Sequence, residues 1–100
     1  MTQAEIKESV PIFKVNYEKK VIYFNSRAIP YLLYWKCLDG NKLPSQIVKQ
    51  HPEIFDRNLV TDYYDVDLNY QHKQVHFTVI PFPEAGYIGF YGDYTNQRLD

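Results

Sequence analysis

Four groups of side chains are of a type that could do chemistry. Cys37 and His51 could be a nucleophile and its base, but nothing in their surroundings orients the imidazole or supplies an oxyanion hole, so no catalytic dyad is expected. His72 and His76 are four residues apart in a stretch that reads as turn and strand. On a strand that spacing shares a face yet spans about 13 Å, too far for one metal ion. Asp65 and Asp67 share one strand face and could hold a hard cation with help from elsewhere, although a solvated sheet edge is the simpler expectation. Asp93 and Arg98 could form a charge-assisted pair near Thr95 that fixes the direction of the chain there. No catalytic residue is assigned, and no metal site.

The elements that must position these groups follow from composition and periodicity. One hundred residues make one domain, burying roughly two-thirds of the unfolded surface, with one core. Ten Tyr and six Phe argue for folding and against disorder. A net charge of −1 without a basic block gives no footprint for nucleic acid. The single Cys excludes an intramolecular disulfide and suits a reducing compartment. Residues 1–9 have no apolar leader core, and the longest apolar run, Ile29 to Trp35, is too short to cross a bilayer. A soluble, cytoplasmic chain is expected, without membrane insertion.

Thr2 to Glu5 has capping-box spacing and predicts a short helix, curtailed before Pro11. Pro11 to Tyr17 and Val21 to Asn25 predict two strands with a loose turn between them. In the second, Val21 and Tyr23 oppose Ile22 and Phe24. Asn25 or Ser26 caps a helix in which Ile29, Leu32, Leu33 and Lys36 form one face. Pro30 sits awkwardly in it. Pro44 to Gln50 predicts a second short helix and Pro52 to Phe55 a third. Val60 to Tyr70, Gln74 to Phe82 and Tyr87 to Thr95 then alternate with period two, as three half-exposed strands. The order predicts an α+β fold: a five-stranded antiparallel sheet with short helices on one face.

These residues resemble a PAS domain. Pro11-Ile12-Phe13-Lys14-Val15 followed by Val21-Ile22-Tyr23-Phe24-Asn25 is similar to that family's opening hairpin. Ala28 to Trp35, then Gly40 to Pro44, is similar to a bacterial subgroup with a leucine pair, a tryptophan and a later Leu-Pro. Val75 to Pro81 and Gly86 to Gly92 resemble its last two strands, and Asp93-Tyr94-Thr95 stands in the place of the terminal Asp-Ile-Thr. The resemblance covers residues 11–98 and departs in two places: the hairpin glycine is replaced by Glu18-Lys19-Lys20, and Tyr94 replaces an aliphatic residue.

The resemblance implies a domain at residues 11–95, preceded by a helical cap or linker at 1–10 and followed by the start of an output linker at 96–100. It implies a non-catalytic sensory module of bacterial signal transduction. Such a module binds a small ligand or a protein partner and relays the change through its C-terminal end, here Asp93, Thr95 and Arg98, to an effector such as a histidine kinase or nucleotide cyclase. Its ligand would sit among Phe13, Leu33, Ile47, Ile54, Phe55, Val66, Phe77, Val79 and Phe90. So many large rings favour a filled core over a tight ligand. Cys37 lacks the flanking residues of a flavin-reactive cysteine, and His51 is the one candidate for a haem ligand, so neither cofactor is expected. The opposite sheet face, with Tyr63, His76, Ile80, Tyr87 and Tyr91, is expected to be an interface, most simply of a homodimer. The alternatives are a pure homodimerisation module with a filled core and, from another class, a small metal-dependent enzyme using Asp65 and Asp67.

Overall fold

The computed structural model describes residues 10–38, 40–59 and 61–92. The expected N-terminal helix and the output residues Asp93, Thr95 and Arg98 lie outside them. Five strands form one antiparallel sheet: β1 (Ile12–Asn16), β2 (Val21–Phe24), β3 (Tyr64–Tyr70), β4 (Lys73–Phe82) and β5 (Tyr87–Gly92). Their spatial order is β2-β1-β5-β4-β3. Between β2 and β3 run a 3-10 turn (Ser26–Ala28), helix α1 (Ile29–Tyr34), helix α2 (Ser45–Gln50) and a second 3-10 turn (Pro52–Phe55). Among the described residues no helix is long and apolar enough to cross a membrane.

Alternation puts Phe13, Val15, Val66, Leu68, Val75, Phe77, Val79, Ile88 and Phe90 on one sheet face, all buried. The helical segment covers that face with Ala28, Tyr31, Leu32, Trp35, Ile47 and Ile54. None of these helices is long enough to be stable alone, so burial of this layer against the sheet holds them.

Three sequence expectations need correction. Leu33 is 58% exposed and takes no part in the core. The inward face is Ala28, Tyr31, Leu32 and Trp35, because a 3-10 turn precedes α1 and resets the helical phase. That turn also accommodates Pro30, which falls in the first turn of α1 where its missing N–H has no partner to lose. In β2, the pairs Phe13↔Phe24, Lys14↔Tyr23 and Val15↔Val21 skip Ile22. This bulge places Val21 inward and Tyr23 outward, so the expected pairing of those two on one face fails. Finally, β3 begins at Tyr64 rather than at residue 60, leaving Tyr63 in the preceding loop, 55% exposed.

The turns rest on local chemistry. Asn16 Oδ1 accepts from the backbone N–H groups of Glu18 and Lys20 at 2.9 and 3.0 Å, and Lys19 takes a positive φ of 71°. The β3–β4 hairpin closes in two residues, Gln71 and His72, with φ of 50° and 69°. Both signs are those a primed two-residue turn requires, here without glycine.

Candidate functional site

The uncovered face of the sheet is the candidate site. The strands turn Ile12, Lys14, Tyr87, Gly89, Tyr91, Thr78 and Ile80 towards it, with Tyr23 from β2. Lys14 Nζ lies 5.1 Å from the Tyr23 ring centroid and 4.9 Å from that of Tyr87. Each contact at such a half-exposed place is worth about 0.5–1 kcal/mol, and together they tie both rings to one ammonium. Phe82 packs on Tyr87 at 4.9 Å. Tyr91 lies across Gly89: a Cβ there would sit 2.6 Å from Tyr91 Cε1. Gly89 therefore makes the hollow in which the Tyr91 ring rests. Burial first, and Tyr87 second, push the Tyr91 hydroxyl pKa up. Ile80 is half-buried on the same face.

Sequence reasoning placed Ile80, Tyr87 and Tyr91 here, set Lys14 on the face away from Phe13 and Val15 without naming it a site residue, and missed Tyr23 and Phe82. The alternation of Lys14 between inward Phe13 and Val15 was the available signal; Tyr23 was hidden by the bulge. Tyr63 lies exposed in the loop before β3 and is not part of the ladder. His76 stands farther along, bracketed by two carboxylates. Its Nε2 is 3.1 Å from Asp65 Oδ1 and its Nδ1 3.3 Å from Asp67 Oδ1, and Thr78 Oγ1 donates to Asp65 Oδ1 at 3.5 Å. Asp65 and Asp67 thus engage opposite sides of one imidazole rather than converging on a point. Among the described residues no group of three or more His, Cys, Asp or Glu is placed to hold a metal ion.

Of the residues expected to line a pocket, all but Leu33 lie on the opposite, covered face. Phe13 stacks on Phe90 at 4.6 Å and meets Phe77 and Trp35 edge-on at 5.6 and 6.0 Å. Tyr31 adds an edge contact to Phe77 at 5.9 Å. Ile47, Ile54, Val66 and Val79 are buried around these rings and Phe55 is half-buried. Tyr31, Leu32 and Trp35 stand where Leu33 was expected. His51 sits at the junction of α2 and the second 3-10 turn, with Nδ1 4.0 Å from Glu53 Oε2.

Cys37 is fully buried, and burial pushes its thiol pKa up to about 11. A thiol so held is neutral and inert near neutral pH. A disulfide reagent at pH 8 is expected to leave the folded protein unmodified and to label one thiol per chain in guanidinium. Rapid labelling of the folded protein would contradict the burial.

The two ends of the described chain meet at one corner of the sheet. Gly92 N–H donates to Pro11 O at 2.7 Å. Asn25 clamps the same corner. Its Oδ1 accepts from Ile12 N–H at 3.0 Å and Ala28 N–H at 3.1 Å, and its Nδ2 donates to Val10 O at 3.0 Å. One side chain therefore caps the first helical turn and holds the entry to β1 beside the end of β5.

No family model matches the sequence, and no curated protein matches it. Among solved structures the chain is similar to the PAS domain of BvgS from Bordetella pertussis, at 17% identity and a TM-score of 0.48, with 90% of this chain and 76% of that chain covered. At that distance the likeness carries no residue role into this chain. What stands on the chain's own geometry is the architecture that the sequence resemblance implies: an opening hairpin, a helical insert on one sheet face, then three antiparallel strands. The chain folds as a PAS-like α+β domain.

Proposed function

We propose that the chain is a non-catalytic sensory or signal-transduction module that works by association. Its uncovered sheet face binds a partner, foremost a second copy, and a change in that packing travels along β5 to an effector such as a histidine kinase or nucleotide cyclase. The observation that carries this reading is the aromatic face itself. Tyr23, Tyr87, Tyr91 and Phe82, with Ile12 and Ile80, form a semi-apolar surface that no described helix covers. Tyrosines pre-set in one geometry, here by Lys14 and Gly89, are the residues that dominate binding at interfaces. A cytoplasmic setting accords with the single, unpaired thiol.

Tyr91→Asp tests the reading by sedimentation over a concentration series. The variant should melt close to the parent protein and lose self-association by about thirtyfold or more, the loss of an interface hot spot of about 2 kcal/mol. A parent chain that stays monomeric, or a variant dimer of unchanged affinity, would reject it.

A second reading, a pure dimerisation module with a filled core, is favoured by the ring cluster of Phe13, Phe77, Phe90 and Trp35. Native mass spectrometry tests the filled core on which this second reading depends. Extra mass released on denaturation supports a ligand-sensing core; a clean dimer mass supports the filled one.

A further inference from the structure

The far edge of the sheet is a second, independent surface. β3 is an outermost strand, paired to β4 on one side only. In a two-residue hairpin the closing pair, here Tyr70 and Lys73, exchanges both backbone hydrogen bonds. By alternation the backbone groups of Tyr64, Val66 and Leu68 also turn to β4, and those of Asp65, Asp67 and Asn69 turn out of the sheet. Asn69 bears this out. Its carbonyl accepts the Trp35 indole N–H at 2.8 Å from outside the sheet.

The outward N–H and C=O of Asp65 and Asp67 receive no such cover from the described residues, and they present four backbone groups in strand register. Their side chains are 55% and 64% exposed on the outer face. Beyond Asp67 the Trp35 cap closes the edge, and a groove of about 380 Å³ opens beside it, lined by Tyr34, Trp35, Gln46, Gln50 and Asn69 and carrying one cation, Lys36, so the segment's basic residues belong opposite Asp65 and Asp67 and not in the groove.

We propose that the β3 edge binds, by strand addition, an extended segment of a partner protein with basic residues at alternate positions. Main-chain bonds to Asp65 and Asp67 supply the attachment, as in other strand-addition sites. Residues opposite Asp65 and Asp67 stand on the same outer face as the two carboxylates, which selects Lys or Arg two positions apart. The bonds from His76 are to one oxygen, Oδ1, of each carboxylate. Where the Trp35 cap ends the ladder, the segment leaves the edge and its next side chain meets the amides of Gln46 and Gln50. A second copy of β3 is a poor occupant, because antiparallel addition of identical strands sets carboxylate against carboxylate.

The probe is the peptide acetyl-Lys-Thr-Lys-Val-Lys-amide, titrated into the folded chain while backbone amides are followed by NMR. The Asp65 and Asp67 amides should shift and exchange more slowly. A peptide N-methylated at alternate residues, which cannot complete the ladder, should not bind, and neither should a peptide with Glu in place of Lys. The double variant Asp65→Asn, Asp67→Asn, which keeps size and exposure, should bind about tenfold more weakly, the loss of two solvent-exposed ion pairs. Equal binding of the N-methylated peptide, shifts centred elsewhere, or no saturable binding at millimolar peptide would overturn the proposal. So would slowing of these two amides with protein concentration alone, which would make the occupant a second copy. None of these outcomes depends on the Tyr91 face.

Discussion

Phe13→Ala is expected to lower the stability of the domain by about 3–5 kcal/mol, the usual cost of truncating a fully buried phenylalanine. Phe13 is wholly buried on β1, a strand with neighbours on both sides, and its ring is the hub of the core. It stacks nearly parallel on Phe90, at 9° between planes, and meets Phe77 and Trp35 at steep angles. Each such ring pair adds about 0.5–1.5 kcal/mol beyond the area it buries. The strands cannot close the gap, because β1 is pinned by hydrogen bonds to β2 and β5. In a domain of this size the loss shifts the melting temperature down by roughly 15 °C or more.

The same variant addresses function. A filled core gives the parent protein no room for a small apolar guest, whereas Phe13→Ala opens an aromatic-sized cavity lined by Phe77, Phe90 and Trp35. Such cavities stay dry and take up benzene. Benzene should therefore raise the melting temperature of Phe13→Ala and leave that of the parent protein unchanged. A parent protein stabilised as much as the variant has space in its core, and the ligand-sensing reading gains over the dimerisation reading. A loss below about 1 kcal/mol would show that Phe13 is not the hub the ring geometry makes it.

The parts of the fold legible in the sequence are those where one residue's environment is set by the next. β3, β4 and β5 alternate because one face is wet and the other dry, and Val66, Phe77, Val79 and Phe90 could be placed inward on that basis. Inward residues on the sheet were thus placed correctly, whereas Leu33 was placed inward and is exposed. A six-residue helix behind a 3-10 turn has too few periods to reveal its phase, and the turn shifts that phase before the helix begins. Ile22 was misread for a related reason, since a bulge is decided by the partner strand. The turn between β3 and β4 was placed at Asn69 to Lys73, but its primed type was not legible, because Gln71-His72 lacks the glycine or asparagine by which such turns are recognised.

The outer face was half legible. Tyr87 and Tyr91 show in the period of β5, but their fixed poses depend on Lys14 and Gly89, which come from different places in the chain or carry no side chain. Of the β3 edge, sequence suggested only that Asp65 and Asp67 lie on a solvated sheet edge, not which backbone groups face out of the sheet. Its outward backbone groups, unpaired among the described residues, are there because the strand order leaves β3 outermost, and the groove beside it because Trp35 reaches Asn69 across the layer.

Asn25→Ala is the other substitution with a large expected effect, and it acts where the relay to an effector would begin. The sequence marks Asn25 as a helix cap, and the structure adds that it also clamps the entry to β1. Alanine strips the acceptor from Ile12 N–H and the donor from Val10 O, while Ala28 N–H loses the side-chain acceptor and keeps the backbone carbonyl of residue 25 at 3.1 Å. Water reaches this corner poorly, since Asn25 is only 9% exposed. Losing a cap costs about 1 kcal/mol and each buried group left unpaired about 1–3, so a total of about 2–4 kcal/mol is expected after local relaxation. Asn25→Asp keeps the accepting oxygen but sets a second acceptor against Val10 O, so it separates the two accepted bonds from the donated one. Beyond stability, Gly92 N–H bonds to Pro11 O within the stretch that Asn25 holds. Releasing Val10 and Ile12 frees Pro11, and with it the end of β5. Hydrogen exchange should accordingly quicken at Ile12, Ala28 and Gly92 in the alanine variant while the β3–β4 hairpin keeps its protection. A loss under 0.5 kcal/mol, the range of an ordinary surface substitution, would mean the clamp is dispensable. Exchange that quickens uniformly over the sheet would mean that the corner is not a separate unit, and that a change on the outer face has no privileged route to the end of β5.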